Sequence, residues 1–305
     1  MKTLNFYSLA LVLCEGKFSC PKMAKTLGLV SHDKLTRILM RGCFDPCSDL
    51  NMLPKGGYLI YDDTVIAKPF GNNIEGVGFY YDSAEGKSIR GLPLILIIYV
   101  YQQQVFILDV IIPGGGKTKN DIIRQCLKEY KEQGLKPYRV LFDNWYAAQD
   151  SVNLLNDLNW VYISRCKKNR ILNGEGVQKH KYYGAKAIQG KLKGVYHPVQ
   201  VVRDGKRYLM TNAKAPTCTV ALSKQYSYRW IIETIFRDLK NLFHLEECSS
   251  RSLDGQFHHI LACLEAYLFI KKANPDKTTE SACHEVIEDF RRKKYRQEPF
   301  QLMAA

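Results

Sequence analysis

Three acidic residues stand where a fold could gather them. Asp62 follows the apolar run Leu59-Ile60-Tyr61, Asp143 follows Val140-Leu141-Phe142, and Glu233 lies in a long amphipathic stretch. Carboxylates at the ends of buried strands face the sheet edge where open α/β folds place their sites. A single Asp after a strand is more often a turn or cap residue, so chemistry depends on a third acid reaching the same place. Glu233 can be that acid. Tyr226, Arg229, Glu233 and Lys240 lie at offsets 0, 3, 7 and 14. At about 100° per residue they fall within roughly 60° of arc on one helix face. Ile231, Ile232, Ile235, Leu239 and Leu242 take the opposite side as a core stripe. Taken alone, the polar face reads more simply as the solvated, charge-paired side of an ordinary helix.

The elements that must position these residues follow from pattern. The first 45 or so residues read as helices. Ser19 and Ser31 are candidate caps, Pro21 falls in a first turn, and Gly28 can close the helix before it. Helix, short turn, helix is either a helix-turn-helix or a plain helical hairpin. The basic residues Lys22, Lys25, Lys34, Arg37 and Arg41 favour contact with DNA. Strand signals follow at Tyr58–Tyr61, Pro93–Tyr101, Val105–Ile112, Tyr138–Phe142 and Trp160–Ser164, with helices predicted over Asn120–Glu132 and Ala147–Leu158. Residues 167–216 read as a β-rich insertion, and helices are predicted over Leu222–Phe243, Phe257–Ile270 and Thr279–Arg296. Strand runs followed by alternating strand and helix predict an α/β chain, a mixed sheet covered by helices.

Together these residues carry a resemblance. The spacing Tyr226-x2-Arg229-x3-Glu233-x6-Lys240 is similar to the Tyr-Arg-Glu-Lys signature of DDE transposases of the insertion-sequence-four superfamily. Tyr61-Asp62-Asp63-Thr64 resembles that family's first-aspartate block, a strand followed by Asp-x-Thr, and Phe142-Asp143-Asn144-Trp145-Tyr146 resembles its second. Residues 163–170, Ile-Ser-Arg-Cys-Lys-Lys-Asn-Arg, resemble the strand and basic segment before its β-rich insertion. The resemblance covers roughly residues 58–270. It implies a ribonuclease-H-like mixed sheet with flanking helices, interrupted by a β-rich insertion, beside a small helical N-terminal region. The corresponding division is a helix-turn-helix-like DNA-binding region at 1–55, a catalytic core at 56–166 and 222–272, the insertion at 167–221, and a basic helical tail at 273–305.

The resemblance makes Asp62, Asp143 and Glu233 the catalytic metal ligands. The Asp-x-Thr pattern selects Asp62. Strand alternation sends Asp63 to the other face, where it could cap a turn, and Asp63 stands as the alternative ligand. Three carboxylates can hold two Mg²⁺ ions about 3.5–4 Å apart. Such hard oxygen ligands suit Mg²⁺, or Mn²⁺ as a substitute, rather than zinc. Arg229 and Lys240 would neutralise phosphate charge, and Tyr226 could donate its hydroxyl to a phosphate. The implied activity is cut-and-paste transposition: cleavage at transposon ends, through a DNA hairpin, and strand transfer into target DNA. The implied partners are double-stranded terminal inverted repeats and target DNA, with a homodimer in the synaptic complex. In some relatives a tryptophan of the insertion supports a flipped base. This insertion has none, so Tyr182, Tyr183 or Tyr196, or Trp145 from outside it, would take that place. The rival reading is a non-catalytic DNA-binding protein or repressor descended from such an enzyme. The intact acids and helix signature speak against it.

Composition agrees with a nucleic-acid partner. The chain has 305 residues, with 44 Lys and Arg against 30 Asp and Glu, a formal net charge of +14. A hydrophobic share of 46% excludes general disorder. The longest apolar run, Leu92–Tyr101, is too short to span a membrane. The run Leu9–Leu13 stops at Cys14-Glu15-Gly16-Lys17 without a small-residue cleavage site, and the expectation is a cytoplasmic protein at the bacterial nucleoid with reduced cysteines. Three weaker signals remain. Gly114-Gly115-Gly116-Lys117-Thr118 lacks the Gly at position 111 that a phosphate loop needs, Cys14, Cys20, Cys43 and Cys47 lack paired zinc spacing, and Asp109 is a lesser candidate for an acid near the site.

Overall fold

Asn5 starts the first helix, α1 (Phe6–Leu13), by accepting the amides of Tyr7 and Ser8, both at 2.9 Å. The computed structural model describes residues 4–82 and 85–296. Helix α2 (Cys20–Leu27) is capped by Ser19, and α3 (His32–Arg41) by Ser31. Gly28 and Gly42 close them in the left-handed conformation, φ 67° and 65°, where any other residue would be strained. Then come β1 (Tyr58–Ala67), β2 (Gly78–Asp82), β3 (Lys87–Tyr101), β4 (Gln104–Ile111), α4 (Lys119–Glu132), β5 (Arg139–Phe142), α5 (Gln149–Asp157) and β6 (Tyr162–Cys166). The short strands β7 (Ile171–Leu172), β8 (Glu175–Gly176) and β9 (Ile188–Gly190) precede β10 (Val199–Asp204) and β11 (Arg207–Thr211). Helices α6 (Thr219–Tyr226), α7 (Trp230–Leu242), α8 (Leu253–Ala273) and α9 (Thr279–Tyr295) complete the chain.

The chain divides into two units. One comprises Cys47–Asp63 and Ile95–Glu233; the other comprises Met1–Pro46, Thr64–Leu94 and Thr234–Ala305.

In the first unit the strands run in the order β4-β3-β1-β5-β6-β11-β10-β9. The centre is parallel: Tyr58, Leu59 and Ile60 pair with Arg139, Val140 and Leu141, and β5 pairs with β6 from Val140 to Phe142. Parallel strands need crossovers, and α4 and α5 lie in the connections into β5 and β6. The central strands are apolar because helices cover them. Leu59, Tyr61, Val140, Phe142 and Tyr162 pack with Ile123, Leu127, Val152 and Leu155 of those helices. The β-rich stretch after β6 extends this sheet, with β11 antiparallel to β6 and β10 antiparallel to β11.

Two expectations need correcting. Strand β1 does not end at Asp62 but runs on to Ala67, because Thr64-Val65-Ile66 is a β-branched continuation. The long helix is broken by a 3₁₀ turn at Ser227–Arg229, which separates α6 from α7.

In the second unit α1 is buried from Tyr7 to Leu13 and packs on α8 and α9. His259 of α8 is fully buried, its Nε2 2.9 Å from the His244 carbonyl and its Nδ1 2.8 Å from the Tyr7 hydroxyl. A carbonyl only accepts, so Nε2 carries the proton, and Nδ1 accepts from Tyr7. The ring is neutral, and burial pushes its pKa down to about 3. The unfolded chain binds a proton near pH 6.5 that the fold refuses, so stability is undiminished above that pH and falls as pH drops toward 3. Thermal melts should fall between pH 7.5 and 5, and His259→Gln should show a shallower acid slope. Equal slopes would remove His259 from the account.

All ten cysteines are free thiols. Among the described residues no helix is long and apolar enough to cross a membrane.

Candidate active site

The register of β1 on β5 brings two of the acids together. Ile60 stands beside Leu141, and two residues further along each chain are Asp62 and Asp143. Neighbouring strands lie about 4.8 Å apart. The rings of the preceding residues, Tyr61 and Phe142, stack with centroids 5.2 Å apart and planes 6° apart, which fixes the level of the two acids.

The turn and first residues of α7 supply the rest. Arg229, 8% exposed, reaches Asp62 with Nη1 at 2.7 Å and Glu233 with Nη2. Its guanidinium therefore spans two of the three carboxylates, one Nη on each, in a fixed planar geometry that a compact ammonium does not offer. The helix face that looked solvated in sequence is turned inward. Tyr226, expected to offer its hydroxyl to a phosphate, is buried and donates to the Phe142 carbonyl at 3.2 Å, where it holds the end of β5. Lys240 lies two turns along α7 in the other unit, where it donates to the Val65 carbonyl at 2.8 Å and pairs with Glu246 at 3.2 Å.

The electrostatics are those of crowded acids. Burial raises the Asp62 carboxyl to about 7; Arg229 acts against this, and the carboxylates of Asp63 and Asp143 add to it. Asp143 Oδ1 is buried and accepts no hydrogen bond from the described residues, with Arg165 Nη1 of β6 at 3.7 Å. Two adjacent carboxylates with an unused buried oxygen, and a third one guanidinium away, fit a hard divalent cation by donor chemistry. Among the described residues no three His, Cys, Asp or Glu side chains are already gathered into a metal centre. Arg229 stands between Asp62 and Glu233.

Asp63 faces the other way. Its carboxylate takes the Tyr146 hydroxyl at 2.5 Å and an ion pair from Lys119. It is neither beside Asp143 nor a turn cap, since β1 makes no turn there. Lys119, Tyr146 and Arg165 were not singled out from sequence as site residues. Tyr146 and Arg165 lay inside the motif blocks, but nothing local distinguishes them. Asp109 is on β4 and accepts the Tyr130 hydroxyl of α4. The Gly114–Gly116 loop serves α4: Thr118 and Asp121 form its capping box. In the N-terminal helices Lys34 and Arg37 are exposed on α3, with Lys34 Nζ 5.2 Å from the Phe6 ring centroid, while Leu35 and Leu39 face inward.

The fold compares with solved structures. A cryo-EM structure of the piggyBac transposase synaptic complex with hairpin DNA matches over 95% of this chain and 71% of that one, with a TM-score of 0.55 at 10% sequence identity. The Drosophila P element transposase strand transfer complex aligns over 95% of this chain and 64% of that one at 15% identity, but its TM-score of 0.29 is too low to bear on the fold. The mixed sheet flanked by helices is thus of the ribonuclease-H-like kind found in DDE transposases. The family model described as transposase DDE domain matches residues 57–269, which takes in Asp62, Asp143, Arg229 and Glu233. The chain belongs to the transposase DDE-domain family. No curated protein matches it by sequence.

Proposed function

We propose that this protein is a cut-and-paste transposase of the insertion-sequence-four type. It cleaves double-stranded DNA at the ends of its own element, through a hairpin, and joins those ends to target DNA. The observation that carries the reading is the alignment of Asp62 with Asp143 on adjacent parallel strands, with Arg229 tying Glu233 to Asp62. Asp62, Asp143 and Glu233 are the residues to hold two Mg²⁺ or Mn²⁺ ions. When bound, the metal supplies Lewis acidity at phosphorus and a water of lowered pKa.

The chain's own groups do the remaining work. Arg229 orients two of the carboxylates. Arg165, beside Asp143 and 44% exposed, is placed to meet a phosphate oxygen. Trp145 and Trp230, each 62% exposed and next to the site in sequence, offer flat faces to an unpaired base. The enzyme acts as a homodimer in a synaptic complex, in the bacterial cytoplasm at the nucleoid.

Linear DNA carrying the sequences that flank the gene tests the reading. Mg²⁺ should produce breaks at two discrete positions bracketing the gene, and a chelator should stop them. Binding without any cleavage in Mg²⁺ or Mn²⁺ would favour the repressor reading instead.

Charge predicts how binding divides. Residues 167–221 hold twelve Lys and Arg against two acids, and Lys191 and Lys193 are exposed there. Affinity should fall steeply with salt through counterion release. Lys191→Ala with Lys193→Ala should weaken binding to end and random DNA alike and flatten the log–log salt slope by up to about two. Lys34→Ala with Arg37→Ala should instead narrow the gap between end and random DNA. Point variants are needed, because deleting the N-terminal helices would remove α1 from its core. An unchanged salt slope and an unchanged gap would remove these residues from the interface.

A further inference from the structure

We propose that Asp63, Tyr146 and Lys119 form a clamp on the back of β1 that sets the distance between Asp62 and Asp143. The inference rests on the reading of the site given above.

The need for a clamp follows from the ladder. The last paired residues of β1 and β5 are Ile60 and Leu141, so the backbone pairing ends before the two acids. Like charges side by side repel, and beyond the last paired residues the continuing strand β1 and the chain leaving β5 have no ladder bonds between them to stop them splaying. Something else must hold them.

The three residues tie β1 to the segment that follows β5 directly. Tyr146 closes the 3₁₀ turn Asn144–Tyr146 that begins immediately after Asp143, and its amide donates to the Asp143 carbonyl at 3.1 Å. Its hydroxyl reaches across to Asp63 Oδ1 at 2.5 Å. The segment after Asp143 is thereby joined to the residue after Asp62. Tyr146 has no freedom to leave: it is fully buried, and its ring meets the Tyr61 ring edge-on, with centroids 5.3 Å apart at 89°. Each acid is therefore bracketed by a cross-strand contact, Tyr61 on Phe142 before it and Asp63 on Tyr146 after it.

Lys119 completes the clamp from the first residue of α4. Its ammonium pairs with Asp63 Oδ2, the oxygen that Tyr146 leaves unused. The two side chains are 21% and 18% exposed, so the pair is largely withdrawn from water. The capping box of Thr118 and Asp121 holds the start of α4, and with it the origin of the lysine. Asp63 needs both partners. As a carboxylate it only accepts, and a hydroxyl and an ammonium satisfy one oxygen each.

Groups that orient metal ligands from outside characteristically change metal affinity and rate by about ten- to a hundredfold. Tyr146→Phe keeps the ring packing and removes only the bond to Asp63. In the full chain it should weaken Mn²⁺ binding, followed by electron paramagnetic resonance, and slow end cleavage, each by about tenfold or more, with DNA affinity and melting temperature close to wild type. Lys119→Met, at the less buried end, should lower Mn²⁺ affinity and cleavage in smaller measure, with an earlier melt because Asp63 loses its cation. Asp63→Asn combined with Tyr146→Phe should be no slower than the slower single variant, because Asp63→Asn already disturbs the contact that Tyr146→Phe removes. Tyr146→Phe and Lys119→Met within twofold of wild type in both Mn²⁺ affinity and cleavage would overturn the clamp alone, as would lost cleavage that tracks a lower melting temperature with Mn²⁺ affinity intact. Wild-type Mn²⁺ affinity in Asp62→Asn would overturn the reading of the site, and the clamp with it.

Discussion

Asp143→Asn is expected to fold, to bind the element ends as the wild type does, and to lose cleavage by about a thousandfold or more, the scale at which removing one member of a catalytic unit acts. The substitution keeps shape, exchanges one carboxylate oxygen for an amide NH₂ and removes one charge. That charge stands level with Asp62 at the end of an adjacent strand and is among the influences that raise the Asp62 carboxyl. Its removal relieves repulsion, so the melting temperature should hold or rise. A fold that is no worse together with chemistry that is gone is the mark of a group kept for function at some cost in stability. Cleavage assays in Mg²⁺ and Mn²⁺, gel shifts on the same DNA and thermal melts provide the check. Cleavage at the wild-type rate would remove Asp143 from the site.

Arg229 should show the opposite combination, loss of both fold stability and activity. It is one cation shared by Asp62 and Glu233 in a largely buried setting. Removing one member of such a cluster leaves the others charged and unpaired, at a cost of about 3–5 kcal/mol. For a chain of this size that is on the order of 10 °C in melting temperature. Arg229→Ala should therefore melt early and be inactive. Arg229→Lys restores a charge but lacks the two separated nitrogens that place one donor on each carboxylate, so it should recover part of the stability and little of the rate. If Arg229→Ala melted like wild type, the buried network would not be the support described for it.

The same residues show how far local pattern reaches. The strands around Asp62 and Asp143, the helix carrying Glu233 and the caps at Ser19 and Ser31 were readable in sequence. Each depends on the spacing of apolar residues or on a side chain meeting a nearby amide, and both are properties of a few consecutive residues. The α/β class followed from the order of those elements. That Asp62 and Asp63 face opposite ways also followed from the chain alone, because the pleat has period two.

Other features depend on what lies across the fold. Periodicity places Tyr226, Arg229 and Glu233 on one face, but not whether water or a sheet lies beneath it, so the face looked solvated. Thr64-Val65-Ile66 continues β1, but the strand can carry two acids within it because a distant guanidinium and a distant ammonium satisfy them, one on each side. Asp63 changes from a turn acceptor to a half-buried, paired carboxylate for the same reason: its partners are 56 and 83 positions away. The lateral order of strands, which seats β11 against β6 and makes the basic stretch part of the sheet, is likewise a matter of long-range pairing. Sequence spacing carries the local half of each contact, and the energy that selects the partner arises only when both halves leave water together.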